Sequence, residues 1–280
     1  MGDGIWLISS LIYIYTRKHF KTNPSLHYIH LYDKIIPKIC VIVPTYNEEK
    51  SIEQVVKDYK NQKFVETVIV IDNHSDDRTV EIAETSGARV IKKNENKGFA
   101  HSYILGLKEG LKTDANLFLT TESDGTYNGY DVEKFLAYIQ NADLVIGTRN
   151  VQILTEKGNQ NSIMHIWGNL FLAKLIQFKY FSLHHLGVVD LTDVGCTLRL
   201  IRRTGLEKII NQTTYPNSEK VIAGKAFSLH LTMLSIENDL RVIEIPVTFN
   251  KRIGKSKTKS NELFTGIKYG LIFLWFILKS

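Results

Sequence analysis

The sequence predicts an α/β domain: a mostly parallel central sheet flanked by helices, with an amphipathic helix near either end. Three observations lead there. Short apolar runs alternate with stretches of helical period from Ile39 to Arg149, the pattern of parallel strands joined by right-handed crossovers. The runs stop abruptly at turn residues, as buried strands do. Three of them deliver a charged group at the stop: Asp72, Glu122 with Asp124, and Arg149. Those stops fall on one edge of a parallel sheet, the edge where open α/β sheets bind ligands.

Taken in order, Ile39-Cys40-Val41-Ile42-Val43 is the first core strand, and Pro44-Thr45-Tyr46-Asn47-Glu48 leads from it into a helix from about Ser51 to Tyr59. Val55, Val56 and Tyr59 form that helix's inward face. Val68-Ile69-Val70-Ile71 is the second strand; Ser75, Asp76 and Asp77 behind it are caps for the next helix. Ala88-Arg89-Val90-Ile91 is the third, and Asn96-Lys97-Gly98 opens a helix carrying Ile104, Leu105 and Leu107. Leu117 to Leu119 is the fourth, ending in Thr120-Thr121-Glu122-Ser123-Asp124-Gly125. Asp143 to Arg149 is the fifth. Carboxylates at i and i+2 on leaving a strand can share one hard divalent cation that also holds phosphate oxygens. A polar turn behind a buried strand looks the same locally; the convergence of three strand ends is what packing does not explain.

Composition narrows the classes. The 280 residues are 44% hydrophobic and 23% charged, ordinary for a globular chain, with no low-complexity tract or fixed repeat. The net charge of +6 gathers at Arg17, Lys18 and Lys21 and at Lys251, Arg252, Lys255, Lys257 and Lys259. Basic and aromatic residues do not interleave, so the expected partner is a phosphate ligand or an anionic surface and no nucleic acid. The 2 cysteines, Cys40 and Cys196, imply a reduced setting and no zinc site. No glycine-rich phosphate loop follows the first strand, so phosphate handling falls to a metal and to side-chain cations. Ile5 to Tyr15 and Gly266 to Leu278 are apolar but shorter than the ~20 residues of a spanning helix. Two placements stay open for them: on a membrane surface, or packed on the domain.

The ordered motifs resemble those of a family-2 glycosyltransferase, in the branch of dolichyl-phosphate mannose synthases and other polyprenyl-phosphate glycosyltransferases. They are Val41 to Glu49, Val70 to Thr79, Asn96-Lys97-Gly98, Glu122-Ser123-Asp124, Val145 to Arg149, Asp193-Val194-Gly195-Cys196-Thr197-Leu198-Arg199 and Arg252 to Lys257. The resemblance implies a GT-A fold, with residues 1–37 an apolar and basic segment, 38–258 the catalytic domain and 259–280 a carboxyl-terminal apolar helix. It implies an inverting, metal-dependent transfer of a sugar from a UDP- or GDP-sugar to a polyprenyl (dolichyl or undecaprenyl) phosphate at the cytoplasmic face of a membrane, with the enzyme peripheral. A sugar or protein hydroxyl in glycan synthesis is the alternative acceptor, and a nucleotide-sugar binder that has lost catalysis the alternative class.

By resemblance, Pro44, Tyr46, Glu48, Asp72, Asn73, Lys97 and Ser123 hold the nucleotide-sugar, and Glu122 and Asp124 hold Mg2+ or Mn2+. Arg149, Arg252, Lys255 and Lys257 recognise donor or acceptor phosphate, for which arginine's planar fork is suited. Asp124, Asp193 and Arg252 are the expected catalytic residues, Asp193 as a general base where the acceptor needs one. The chain departs from the family at two positions: Glu122 stands where the metal motif has its first aspartate, and Asn73 where a second aspartate helps to read the base. The helix from His165 to Phe181 and the segment to Val189 are expected on the acceptor side.

Overall fold

The computed structural model describes residues 2–16, 36–150, 155–156, 163–181, 190–254 and 263–279. The first helix is α1 (Gly2–Thr16). The alternation then runs as read: β1 (Ile39–Thr45), α2 (Ile52–Lys60), β2 (Val65–Asp72), α3 (Thr79–Thr85), β3 (Arg89–Lys92), α4 (Phe99–Gly110), β4 (Leu117–Thr120), α5 (Val132–Tyr138) and β5 (Leu144–Thr148). Beyond it come α6 (Ile163–Lys179), β6 (Arg199–Arg202), α7 (Arg203–Ile209), α8 (Phe227–Glu237), β7 (Val242–Pro246) and α9 (Leu263–Lys279).

The seven strands form one sheet in the order β3-β2-β1-β4-β6-β5-β7. β1 is central and wholly buried, pairing in parallel with β2 and β4. β2 presents its buried residues from Val68 onward. α2 covers the sheet with Ile52, Val55, Val56 and Tyr59, the i, i+3, i+4, i+7 stripe of an amphipathic helix. α4 lies so close that a Cβ at Gly106 would come within 2.2 Å of Ile42 Cγ2; only glycine allows that approach.

Two strands go beyond the five read from sequence. β6 pairs antiparallel with both β4 and β5, and β7 is parallel to β5. β6 escapes a hydrophobic-pattern reading because Arg199 and Arg202 are half of it. Both are buried and find protein acceptors instead of water. Arg199 Nε donates to Cys196 O at 2.8 Å and its Nη1 to Thr232 Oγ1 at 2.9 Å, while Arg202 Nε and Nη2 donate to Ile139 O and Ala142 O. The reversed strand matters for the site. Its amino-terminal end lies at the edge where the parallel strands have their carboxyl ends, so Asp193 to Thr197 arrive beside Glu122 and Arg149.

Asp77 sits close to the capping role expected of it, accepting the Thr79 N–H at 3.0 Å, whereas Ser75 turns back to Asp72. The two terminal apolar stretches are helices α1 and α9. α6 packs against both, and no helix among the described residues is long and apolar enough to cross a membrane. Each of the three keeps an apolar stripe in solvent: Ile5, Ile8, Ile12 and Tyr15; Trp167 and Phe171; Ile267, Leu271, Trp275 and Leu278.

Candidate active site

The acid turn is built from the sheet outward. Two buried hydroxyls, Tyr59 Oη and Tyr103 Oη, pair with Thr121 and Thr120 at 2.8 and 2.5 Å, fixing the end of β4. Ser51 Oγ, at the start of α2, donates to Ser123 O at 2.7 Å. Gly125 then turns the chain at φ +78°, where a Cβ would stand 2.8 Å from Ile253 Cδ1. That closeness lets residues 250–253 dock on the turn: Asn250 N–H donates to Thr126 O at 2.8 Å, and Ile253 N–H to Asp124 O at 2.9 Å. Arg252 is placed by those bonds. Its Nη1 donates to Asp124 Oδ2 at 2.7 Å and its Nη2 to Glu48 Oε1, while its Nε is buried without a partner among the described residues.

Asp124 is buried, its second oxygen accepting Thr126 N–H and Oγ1–H at 3.1 and 2.6 Å. Glu122 Oε1 accepts Thr197 Oγ1–H at 2.7 Å. Burial first, then the neighbouring Asp124 charge, pushes the Glu122 carboxyl up to about 7. Two carboxylates held together against their repulsion, only one of them bonded to a cation, are the donor set a divalent ion suits. Among the described residues no third acid, histidine or cysteine joins them. Mg2+ is commonly held by one or two carboxylates plus substrate phosphates and water, so the pair fits that chemistry.

Around these groups opens a cavity of about 700 Å³, the size of a nucleotide-scale ligand site. Of the residues expected from sequence, Pro44, Tyr46, Glu48, Asn73, Lys97, Glu122, Ser123, Asp124 and Arg252 line it together. Asp72, Arg149 and Asp193 are not among the lining residues. Asp72 is buried beneath, accepting Ser75 N–H and Oγ–H, so it builds the turn after β2. Arg149 and Asp193 close on each other: Nε to Oδ2 at 2.6 Å and Nη2 to Oδ1 at 2.8 Å. Arg149 also lies over the Phe249 ring at 5.0 Å. Asp193 Oδ1 further accepts the Gly195 N–H at 3.1 Å. Burial works against the Asp193 charge, but the Arg149 guanidinium outweighs it and holds the carboxyl below its ordinary range. Lys255, Lys257, His184, His185 and the segment to Val189 lie outside the described residues.

Several wall residues carry no sequence signal. Tyr269 and Phe273 bring the inner face of α9 to the cavity, and Lys225 joins them, its Nζ donating to Tyr269 Oη at 2.9 Å. Thr197 was within reach of the Asp193 to Arg199 motif. Lys93, a buried lysine behind Asn73, reads in sequence as a strand-end surface charge.

An open, mostly parallel sheet with one reversed strand, and an acid turn bonded to an arginine at the wall of a nucleotide-sized cavity, define the GT-A class of glycosyltransferase. Comparison with known proteins agrees. The model of Glycosyl transferase family 2 matches residues 40–210. Glycosyltransferase AglJ of Haloferax volcanii is 36% identical over 240 residues, 84% of this chain and 70% of that protein. Polyprenol monophosphomannose synthase of Mycolicibacterium smegmatis is 27% identical over 231 residues, 80% of this chain and 82% of its own. Glucosyl-3-phosphoglycerate synthase from Mycobacterium tuberculosis, solved with Mn2+, UDP and phosphoglyceric acid, superposes with a TM-score of 0.59 at 16% identity, covering 86% of this chain and 78% of that one. The chain belongs to glycosyl transferase family 2 and is a glycosyltransferase.

Proposed function

We propose that this enzyme moves a sugar from a nucleotide-sugar to a polyprenyl phosphate at a membrane surface, with inversion. The observation that carries the reading is α9. Its inner face, with Tyr269 and Phe273, is a wall of the reaction cavity. Its outer face exposes Ile267, Leu271, Trp275 and Leu278, spaced as one helical stripe. Helices α1, α6 and α9 carry a single acid, Asp3, against Lys174, Lys179, Lys268 and Lys279, a balance suited to lying on anionic lipid. A lipid-borne acceptor held at that surface has its phosphate next to the cavity. The names of several relatives support the acceptor class: polyprenol monophosphomannose synthase above, and an undecaprenyl-phosphate mannosyltransferase of Micrococcus luteus, 24% identical over 251 residues.

In this reading Pro44, Tyr46, Asn73, Lys97 and Ser123 hold the donor, and Glu122 with Asp124 hold Mg2+ or Mn2+. The bound ion supplies charge neutralisation of the leaving nucleoside diphosphate. Arg252, at the cavity wall, presents positive charge toward phosphate. The acceptor oxygen attacks the anomeric carbon as the bond to the diphosphate breaks, a single displacement that inverts the centre. A phosphate monoester is anionic near neutral pH and needs no base. A hydroxyl acceptor would need one, and Asp193, the candidate, has both oxygens engaged by Arg149 and a carboxyl held low. That favours the phosphate acceptor and gives Asp193 a positioning role.

The test is transfer from radiolabelled UDP- and GDP-sugars into a polyprenyl-phosphate fraction with Mg2+, Mn2+ or EDTA. Metal-dependent label in the lipid is the expected result. Label only in water-soluble glycan would replace the lipid acceptor with a hydroxyl one, and donor binding with no transfer to any acceptor would mark a protein that has lost catalysis.

A further inference from the structure

Three cationic side chains line the cavity among the described residues: Lys97, Lys225 and Arg252. Two of them are committed to carboxylates. Lys97 Nζ pairs with Glu219 at 2.9 Å, and Arg252 bridges Asp124 and Glu48. Lys225 has no carboxylate partner among the described residues. Its Nζ donates to Tyr269 Oη at 2.9 Å and lies 4.4 Å from the centre of that ring. The wall around it is apolar, with Phe99, Phe227 and Phe273 also lining the cavity.

The backbone places Lys225 with some strain. It stands on a short turn, Gly224–Ala226, that leads into α8 and packs on α9. The two residues before it are both left-handed, Ala223 at φ +66° and Gly224 at φ +47°. Alanine is an uncommon occupant of that region, since it has no polar side chain to bond the nearby backbone, and residues held there gather at ligand sites. Packing then fixes the partners. His230 of α8 meets Phe276 of α9 edge to face at 5.1 Å, and Phe227 rests on Tyr103 of α4 at 5.0 Å. Tyr269 and Phe273 lie four residues apart on α9, so they share one face of that helix.

Tyr269 Oη accepts from the ammonium, so its own hydrogen points elsewhere, and it has no acceptor among the described residues. The ammonium keeps two further hydrogens. A point charge beside a hydroxyl donor suits a phosphate, and the neighbouring rings suit a hydrocarbon attached to it. We propose that Lys225 and Tyr269 hold the phosphate monoester of the acceptor, while Phe227 and Phe273 take the first isoprene units of its chain. The inference rests on the reading of the acceptor as a polyprenyl phosphate and assigns its head group to residues that no motif marked. Arg149, expected there from sequence, is closed on Asp193 and does not line the cavity. α9 supplies the continuity: its outer stripe suits the lipid surface, and Tyr269 and Phe273 carry the same helix into the cavity.

The experiment is co-sedimentation of the full chain with vesicles of phosphatidylcholine and phosphatidylglycerol, with and without undecaprenyl phosphate, at matched anionic charge. The wild type is expected to favour the undecaprenyl phosphate vesicles by about tenfold. Lys225→Met should lose that preference and bind the control vesicles as before, and Lys225→Arg should keep most of it. Tyr269→Phe should lose about threefold, the scale of one neutral hydrogen bond. UDP and GDP, titrated calorimetrically with Mn2+, should bind Lys225→Met as they bind the wild type. Equal losses on both kinds of vesicle would make Lys225 an ordinary surface charge and overturn the proposal. Loss of nucleoside diphosphate binding at an unchanged thermal midpoint would move Lys225 to the donor and overturn it too. A preference kept in full by both Lys225→Met and Tyr269→Phe removes the subsite and leaves the lipid acceptor standing. No preference in the wild type overturns the acceptor reading itself. Inorganic phosphate competing as well as farnesyl phosphate would overturn the role given to Phe227 and Phe273.

Discussion

Two arginine–carboxylate centres stand at the same edge of the sheet, and they differ in whether they are finished. Arg149 and Asp193 form a closed fork, two nitrogens on two oxygens, with Arg149 over the Phe249 ring and neither residue lining the cavity. Arg252 divides itself between Asp124 and Glu48, lines the cavity and keeps Nε unpaired. In sequence both arginines read as phosphate binders. The geometry separates them: a mutually satisfied pair holds structure together, whereas one with surplus carboxylate at a cavity wall is suited to take a ligand.

The largest effect that sharpens this contrast is at Asp124. Asp124→Ala is expected to lower transfer by about a thousandfold or more, the scale of losing a main electrostatic stabiliser of the leaving group. The thermal midpoint should move by only a few degrees, since Glu48 still pairs Arg252. Full activity in Asp124→Ala, measured with a chelator present, would remove the acid turn from the chemistry.

The forked pair should behave in the opposite way. Arg149→Met leaves Asp193 buried and uncompensated, with an expected stability loss of about 3–5 kcal/mol in denaturant titration. Removing both charges, as Arg149→Met with Asp193→Leu, should recover much of it, because well-packed apolar replacements often match a buried ion pair. A double variant no more stable than the single one would mean that Arg149 acts through something other than its fork.

Arg252→Lys comes next in size. It keeps the charge and loses the planar fork that bridges Glu48 and Asp124, so transfer should drop by about ten- to a hundredfold. Stability should change by about 1 kcal/mol or less, and added Mn2+ should raise the midpoint of the variant more than that of the wild type. An equal response to Mn2+ in both would argue that Arg252 and the cation do not share the acids.

What could be read in advance follows from where the signal is local. β1, the Val68 to Ile71 part of β2, and Leu117 to Leu119 of β4 are unbroken apolar runs, and each ends in polar residues at the site's edge, so Glu122, Asp124 and the Pro44 to Glu48 loop were legible together. β6 was not, because its two arginines are buried on carbonyl and hydroxyl acceptors up to 63 residues away. The pairing of Arg149 with Asp193 depends on that strand. The two are 44 residues apart, and only a reversed β6 brings the second to the first. Lys93 reads as a surface charge because nothing local says that Asn73 and Ser102 will enclose it. The apolar sequence of α9 shows that it must be covered, but it does not say that Tyr269 and Phe273 meet the cavity while Trp275 faces out.

The smallest expected effect is a difference in sign. The Glu122 carboxyl, pushed up to about 7 by burial and by Asp124, takes up a proton on folding between its ordinary value and 7. Metal-free protein should therefore lose stability as pH rises across that interval, the relief given by protonation being complete at the acid end and gone above 7. Asp193, held low by Arg149 despite burial, works the other way: its contribution is present above the ordinary aspartate range and lost as pH falls through its folded value. With EDTA present, Glu122→Gln should flatten the decline below pH 7 by on the order of 1 kcal/mol, screening by cavity water keeping it small. The acid limb set by Asp193 should be untouched. If Glu122→Gln left the slope unchanged, the carboxyl pair would already be neutralised by Arg252, and the two centres would differ in exposure alone.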